Sequence, residues 1–223
     1  ILCKTRIYQD LIMKMVGERG ELDEPAPGAQ ILDLGAGTGN LAAHLMEMSP
    51  DYRIVALEKN LTMRDMLFDK CERYRATAPN GAGVTIFKQD VTSLNGFDDD
   101  SFDYAFMNNV LYAVEDYRGC LEEALRVLRP GGEIRISGPH PTSDAGELFT
   151  HLRRDLEHGG HMDRLEKQYS RVKWINKFQL LPKAHKFSTE QLSEILIDVG
   201  FSEVIDANYD VYKGQSFMVA ARK

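Results

Sequence analysis

A glycine-rich turn that directly follows a short apolar run is the feature that most constrains the fold of this chain. The apolar run is Ile31–Leu34, and three glycines follow it at alternate positions, Gly35, Gly37 and Gly39. A helical pattern, Leu41–Met46, comes next. Glycine has no Cβ atom, so the backbone can bend sharply there and approach a ligand closely. The arrangement predicts a strand, a turn and a helix that form a nucleotide-type binding site; a tight turn without a ligand is the alternative.

The spacing of the glycines narrows the class of ligand. A dinucleotide-binding turn with the pattern G-x-G-x-x-G would have its third glycine at position 40, where this chain has Asn40. A Walker loop requires Gly-Lys-Ser/Thr, and no such sequence follows the turn. The turn therefore favours a ligand that carries no phosphate groups.

Strand-like and helical patterns alternate through the middle of the chain. Strands are predicted at Gln30–Leu34, Arg53–Glu58, Val84–Lys88, Phe102–Asn108 and Gly132–Ser137. Helices are predicted between them at Leu41–Met48, Leu61–Arg75 and Tyr117–Leu128. Strands rich in Ile, Val and Leu that are separated by helices indicate a parallel sheet covered on both faces. A short turn joins two further strands, predicted to be antiparallel, at Phe201–Tyr209 and Ser216–Ala221.

These motifs, in this order, resemble those of the class I S-adenosylmethionine (SAM) dependent methyltransferases. The resemblance covers about residues 30 to 138 and the closing pair of strands. It implies an α/β fold with a seven-stranded, mostly parallel, doubly wound sheet in the order 3-2-1-4-5-7-6, in which strand 7 is antiparallel. It also implies that the chain is an enzyme whose cofactor is SAM and whose cofactor product is S-adenosylhomocysteine (SAH).

Acidic residues lie at the ends of three predicted strands, and ligands of open α/β sheets bind beyond those ends. The resemblance implies that Asp33 shapes the glycine loop and contacts the ammonium group of SAM, and that Glu58 binds the ribose hydroxyls. It also implies that the Asp90 carboxylate and the Val91 amide bind adenine. The structural alternatives are a loop-anchoring role for Asp33, a solvated strand end for Glu58 and a turn or helix cap for Asp90.

The predicted cofactor site includes further residues around these acids. Tyr8 resembles the aromatic position in N-terminal helices that fold over SAM, and core packing of its own helix is the alternative. Asn108 and Asn109 end the fourth strand, where the resemblance implies contacts with the methionine part of the cofactor. The full predicted set is Tyr8, Asp33, Gly35, Ala36, Gly37, Thr38, Gly39, Glu58, Lys59, Asp90, Val91, Asn108 and Asn109.

Residues 139–187 interrupt the alternation and form a predicted helical cap insertion after the fifth strand. The segment contains five of the six histidines and the only tryptophan. The predicted catalytic residues are His140, as a base for an acceptor hydroxyl, and Tyr112, which would orient the acceptor. Trp174, Phe178 and His185 are predicted to bind the acceptor. The alternative is a helical hairpin that closes its own core, with each histidine structural or exposed.

Charge and motif content favour a small-molecule acceptor. The net charge of −7, from 27 basic and 34 acidic residues, disfavours a nucleic-acid partner. The fourth strand lacks the Asp/Asn-Pro-Pro-Tyr/Phe sequence with which the family grips a planar amino group, so nucleobase or glutamine methylation is disfavoured. Methylation of oxygen or nitrogen is favoured over carbon. The alternatives are a non-catalytic SAM-binding or regulatory protein and, less favoured, an NAD-dependent oxidoreductase.

The whole chain, residues 1–223, is predicted to be one domain in which residues 1–28 form an N-terminal helix and linker. Its three cysteines form neither a metal-binding spacing nor a disulfide framework, and no metal site is predicted. No apolar run approaches the roughly 20 residues of a membrane-spanning helix. A cytoplasmic protein, monomeric or homodimeric, is therefore expected.

Overall fold

The computed structural model describes residues 4–77, 83–175 and 185–223. Within them a seven-stranded sheet comprises β1 (Gln30–Leu34), β2 (Arg53–Leu57), β3 (Gly83–Phe87), β4 (Phe102–Asn108), β5 (Leu128–Pro139), β6 (Glu203–Val211) and β7 (Ser216–Arg222). The strand order is β3-β2-β1-β4-β5-β7-β6. Strands β1 to β5 are parallel, and β7 is antiparallel to both of its neighbours. The predicted sheet order and the reversed strand 7 are confirmed.

Seven α-helices accompany these strands in the described residues, and the first of them precedes the first strand. They are α1 (Arg6–Met15), α2 (Asn40–Met48), α3 (Leu61–Thr77), α4 (Tyr117–Val127), α5 (Ala145–His158), α6 (Met162–Ile175) and α7 (Thr189–Val199). Successive strand residues face opposite sides of the sheet, and a hydrophobic core lies on each side. Ile31 packs in one core with α1, α2 and α5, whereas Leu32 packs in the other with α4 and α7.

The two ends of α7 follow their sequence signals closely. Ser188 accepts a hydrogen bond from the Gln191 amide, and the Gln191 side chain accepts one from the Ser188 amide, which forms a capping box. Gly200 ends the helix in the left-handed conformation that glycine adopts without a steric penalty. Both ends of the helix therefore carry the residue types that stabilise them.

Strand β5 begins at Leu128 rather than at the predicted Gly132. Leu128 pairs with Phe102, the chain then leaves the ladder, and pairing resumes between Glu133 and Tyr104. The excursion contains a proline, which has no amide proton for the ladder, and Gly131 with a φ of 80°. The residues between the predicted helix and the predicted strand thus form a bulge inside β5.

The insertion after β5 packs against the N-terminal helix. Its two helices, α5 and α6, share a core with α1, and this core includes Phe149, Leu152 and Leu156. Asp155 of α5 accepts a hydrogen bond from the Ile7 amide in the first turn of α1, with an oxygen–nitrogen distance of 3.1 Å. The described part of the insertion is thus helical, and the core of the alternative hairpin is shared with α1 rather than its own.

A buried arginine fixes the other end of α1. Arg135 of β5 is fully buried and donates to the carbonyl oxygens of Met15 at 3.0 Å and Asp23 at 2.8 Å. Its charge is balanced by Glu133 at 2.7 Å, and its guanidinium lies 5.1 Å from the ring centre of Tyr104. The sheet therefore holds the end of α1 and the linker that follows it.

Candidate active site

The three glycines of the first turn all require a left-handed backbone. Gly35, Gly37 and Gly39 have φ values of 72°, 56° and 75°. A Cβ atom on Gly35 would lie 2.7 Å from Val110, and one on Gly39 would overlap the side chain of Leu67. A Cβ atom on Gly37 would meet only the Gly35 carbonyl at 3.9 Å. The first and third glycines thus permit close packing, while the backbone at Gly37 is open to a ligand.

Glu58 anchors this loop from the end of β2. Its carboxylate is 7% exposed, and its two oxygens accept hydrogen bonds from the Gly37 amide at 2.9 Å and the Asn60 amide at 2.7 Å. A carboxylate offers about four lone-pair positions, so two positions remain for further donors. The arrangement can therefore hold the loop and still accept hydrogen bonds from a pair of ligand hydroxyls.

Asp33 is the most perturbed carboxyl group at this edge of the sheet. It is 1% exposed, and its Oδ2 atom has no hydrogen-bond partner among the described residues. Burial, and to a smaller extent the negative charge of Glu58, raise the pKa of Asp33 to about 7, against the opposing effect of a hydrogen bond from the Ala42 amide. A buried, unpaired carboxylate is costly. A ligand cation that donates a hydrogen bond would remove that cost.

Asp90 already has partners in the turn after β3. Its Oδ1 atom accepts hydrogen bonds from the amide and the hydroxyl of Thr92, at 3.1 and 3.0 Å. Lys59 lies 3.1 Å from its Oδ2 atom, and the Thr92 amide is the main cause that lowers the pKa of Asp90. Val91 beside it is buried. The turn role is therefore present in the structure, and adenine binding by Asp90 and Val91 stays a prediction.

Tyr8 joins α1 to the carboxyl end of β4. Its side chain is buried, and its hydroxyl accepts hydrogen bonds from the side-chain amides of Asn108 at 3.0 Å and Asn40 at 3.3 Å. The Asn108 side chain also accepts hydrogen bonds from Ser137 and Asn109, both at 3.0 Å. Tyr8 thus packs in the core and also reaches the strand ends with its hydroxyl. Core packing and the predicted place of Tyr8 at the cofactor site are therefore compatible.

The remaining loop residues hold the turn through their backbone. The Ala36 amide donates to the Leu57 carbonyl at 2.8 Å, and the Gly39 amide donates to the Ala36 carbonyl at 2.9 Å. Thr38 lies between them and is partly exposed. These bonds tie the loop of β1 to the neighbouring β2.

The two predicted catalytic residues lie in different surroundings. His140 follows β5, where its Nδ1 atom lies 2.7 Å from the Thr142 hydroxyl and its ring centre 6.4 Å from that of Tyr209. Its backbone amide donates to the Gln215 carbonyl, so it sits beside the β6–β7 turn. Tyr112 lies in a short 3-10 helix, Leu111–Ala113, after β4, and burial raises the pKa of its hydroxyl.

Among the predicted acceptor residues, His185 lies beside the predicted catalytic Tyr112. The His185 amide donates to the Tyr112 carbonyl at 2.8 Å, and its ring packs against Phe187 and Tyr117. Trp174 is 54% exposed near the end of α6. Phe178 lies outside the described residues. No group of three or more His, Cys, Asp or Glu side chains in the described ranges could hold a metal ion.

Sequence reasoning missed Tyr212, which lies in the turn between β6 and β7. Its side chain is buried, and its hydroxyl makes no hydrogen bond of good geometry within the described chain. Its φ of 50° is unusual for a bulky residue. In the sequence, only the neighbouring Lys213-Gly214 pair signals the turn, and nothing in that signal indicates that the tyrosine points inward.

Residues 32–136 match a family described as a methyltransferase domain. In sequence, the chain is 37% identical over 112 residues to a demethylmenaquinone methyltransferase of Clavibacter sepedonicus; the match covers 50% of this chain and 42% of that protein. The chain thus spans less than half the length of this curated relative.

Solved methyltransferase structures share the fold over nearly the whole chain. A SAM-dependent methyltransferase from Aquifex aeolicus is 17% identical, with a TM-score of 0.66 over 99% of this chain and 91% of that one. A 1,6-didemethyltoxoflavin-N1-methyltransferase from Burkholderia thailandensis, solved with its substrate and SAH, is also 17% identical; its TM-score is 0.60 over 99% of this chain and 78% of that one. At these identities the likeness shows the fold alone, and the methyltransferase-domain family matches just under half of the chain, residues 32–136. The chain has the fold of the class I, Rossmann-like, SAM-dependent methyltransferases.

Proposed function

We propose that this chain transfers the methyl group of SAM to an oxygen or nitrogen atom of a small molecule. The observation that carries this proposal is the pair of buried acids beside a glycine loop that is open at Gly37. Asp33 has an unpartnered buried oxygen suited to an ammonium group, and Glu58 keeps lone pairs for the ribose hydroxyls. Together they match the two ends of an adenosyl amino acid that carries no phosphate.

The other cofactor contacts follow from the positions of the strand ends. Asp90 and Val91 at the end of β3 would bind adenine, with Lys59 beside them. Asn108, Asn109 and the Tyr8 hydroxyl at the end of β4 would enclose the methionine part. Tyr8 would thereby cover the cofactor from α1.

The acceptor would bind beyond β4 and β5, beneath the insertion of residues 139–187. Bound SAM supplies an activated methyl group, so alignment of the acceptor can provide most of the rate acceleration. Tyr112 would orient the acceptor, and His140 would take a proton from an acceptor hydroxyl. Trp174, Phe178 and His185 would contact its apolar part. The names of the Clavibacter and Burkholderia proteins, both methyltransferases of small molecules, support this choice of substrate class.

Two measurements test the proposal. Titration calorimetry should show that SAM and SAH bind, and that NAD does not. Incubation with methyl-labelled SAM and a small-metabolite extract should then yield a labelled product that depends on the protein. Binding of SAM without any label transfer would favour the non-catalytic alternative, and binding of NAD without SAM would contradict the assignment of the site.

A further inference from the structure

The turn between β6 and β7 buries a strained tyrosine. Tyr212 and Lys213 have φ values of 50° and 54°, a conformation that costs free energy in residues with a Cβ atom. Tyr212 is only 8% exposed, and its hydroxyl makes no hydrogen bond of good geometry with the described residues. Buried hydroxyl groups nearly always have a well-placed partner. The structure thus keeps a poorly satisfied polar group in an unfavourable turn.

The surroundings of this hydroxyl are polar but uncharged. The Tyr8 ring is stacked near that of Tyr212, with centres 6.4 Å apart and planes at 26°. Besides burial, the hydroxyls of Tyr8 and Tyr112 raise the pKa of Tyr212, and the side chain of Asn109, which lies within reach of a poorly aligned hydrogen bond, lowers it. In the part of the chain that the structure describes, no ionised side chain contributes to the pKa of Tyr212 or of Tyr112.

This group of residues adjoins the predicted cofactor site on the side of β4. Tyr8 bonds to Asn108, and Asn109 bonds to the same Asn108 side chain. Tyr112 follows β4 directly, and the turn that holds Tyr212 lies beside the end of β5, where Ser216 pairs with Pro139. Four separate elements thus bring tyrosine and amide groups to the carboxyl edge of the two central strands, where ligands of open α/β sheets bind.

We propose that Tyr212, with Tyr8, Tyr112 and Asn109, forms the acceptor subsite, and that the subsite takes an uncharged hydroxyl or amine on a planar, apolar body. This proposal rests on the methyltransferase function proposed above. A hydrogen bond from the acceptor to the Tyr212 hydroxyl gives that group the well-aligned partner that it otherwise lacks, and the tyrosine rings contact the apolar body. A charged acceptor group would lose its hydration there without gaining an ionic partner.

The role of Tyr212 is to position the acceptor rather than to act as a base. Burial raises the pKa of its hydroxyl well above the usual value, so it stays protonated at neutral pH. It can accept the hydrogen bond of an acceptor O–H or N–H group, which leaves a lone pair of that group free for the methyl group. Its loss therefore affects acceptor binding more than cofactor binding.

The experiment uses the full chain saturated with SAH and three probes of matched size, namely benzyl alcohol, benzoate and benzylamine, in NMR titrations at pH 7. Benzyl alcohol should bind at least tenfold more tightly than the two charged probes. Tyr212→Phe should weaken its binding about fivefold, as expected for one lost hydrogen bond. The matched control is Tyr209→Phe, because Tyr209 lies on the same hairpin with 64% of its surface exposed. It should leave the dissociation constant unchanged.

Calorimetry of SAH binding and thermal unfolding of the same proteins distinguish a failure of the proposed function from a failure of the acceptor subsite. SAH affinity should be the same in Tyr212→Phe and the wild type. A wild-type protein that does not bind SAH would overturn the proposed function and this inference with it. If SAH binds normally, two outcomes would overturn the acceptor subsite alone. One is equal binding of benzyl alcohol by Tyr212→Phe and the wild type, and the other is binding of benzoate as tightly as benzyl alcohol.

Discussion

At the scale of single residues, two buried acids carry different tasks although they lie at the ends of adjacent strands. Glu58 accepts two backbone hydrogen bonds and so fixes the glycine loop, whereas one oxygen of Asp33 has no partner in the described structure. Their positions could be predicted from the sequence because strand ends of a parallel sheet share one edge. Their hydrogen bonds could not, because these depend on the path of the loop at Gly37 and Asn60.

Replacing Glu58 should weaken SAM binding through the ribose contacts. Glu58→Ala removes a charged hydrogen-bond acceptor that the two ribose hydroxyls would share. The dissociation constant of SAM should therefore rise about 10- to 150-fold. Glu122→Ala is the control, since Glu122 is exposed on α4. Calorimetry on both variants measures the effect. A Glu58→Ala protein that is folded and binds SAM with unchanged affinity would remove Glu58 from the site.

The raised pKa of Asp33 predicts that SAM binding depends on pH. An ammonium ligand requires the ionised carboxylate, and with a pKa of about 7 the ionised fraction falls roughly eightfold between pH 7.5 and pH 6. SAM affinity should fall by a similar factor. The stability of the unliganded protein has the opposite trend. The pKa of Asp33 in the folded protein exceeds its unfolded value of 3.8. The contribution of Asp33 to the free energy of unfolding is therefore full below pH 3.8 and is lost as pH rises through about 7.

Calorimetry at pH 6 and pH 7.5 checks this dependence against Asp33→Asn. The variant should bind SAM more weakly than the wild type at pH 7.5, because it offers no charge to the ammonium group. Its affinity should be nearly independent of pH over the same range. An equal pH dependence in both proteins would assign the titration to another group.

At the scale of elements, the N-terminal helix is held at both ends by parts of the chain that are distant in sequence. Asp155 of the insertion accepts from the first turn of α1, and Arg135 of β5 donates to its last turn. Between these anchors lies Tyr8, which bonds to Asn108. The helical periodicity of α1 and of the insertion could be predicted from the sequence. Their contact could not, because a hydrogen bond between residues 7 and 155 leaves no local pattern.

Loss of the Asp155 contact should loosen α1 and weaken SAM binding indirectly. Asp155→Ala leaves the Ile7 amide without its side-chain acceptor, a change worth about 1 kcal/mol at a helix N-terminus. The midpoint of thermal unfolding should fall by roughly 2–4 °C for a chain of this size. SAM affinity should fall by less than tenfold. Arg154→Ala, an exposed neighbour on α5, should change neither quantity. Equal behaviour of the two variants would show that α5 does not position α1.

At the scale of the whole molecule, the sheet order determines where the predicted cofactor site lies. Strands β2 and β3 are added on one side of β1 and strands β4 and β5 on the other, and the glycine loop, Glu58 and Asn108 all lie beside this switch in strand order. The alternation of strands and helices predicted the parallel part of the sheet, and the family resemblance supplied the full order. The bulge in β5 was missed, since a proline and two glycines after a helix resemble a simple connecting turn.

Because this site spans several elements, cofactor binding should stabilise the entire domain. SAH at about 100 times its dissociation constant adds about 2.7 kcal/mol to the free energy of unfolding. That value corresponds to an increase of roughly 5–10 °C in the unfolding midpoint. NAD at the same concentration should produce no increase. Differential scanning fluorimetry with both compounds provides the comparison, and stabilisation by NAD alone would contradict the site proposed here.

The interior position of β7 also has a consequence for biosynthesis. Strand β7 follows β6 in the chain but pairs with β5, so β5 has an open edge on the ribosome until the segment 203–222 has been made. An unpaired strand edge is a template for wrong pairing with other chains. The nascent polypeptide therefore depends on rapid arrival of its final hairpin, or on a chaperone that covers β5 in the interval.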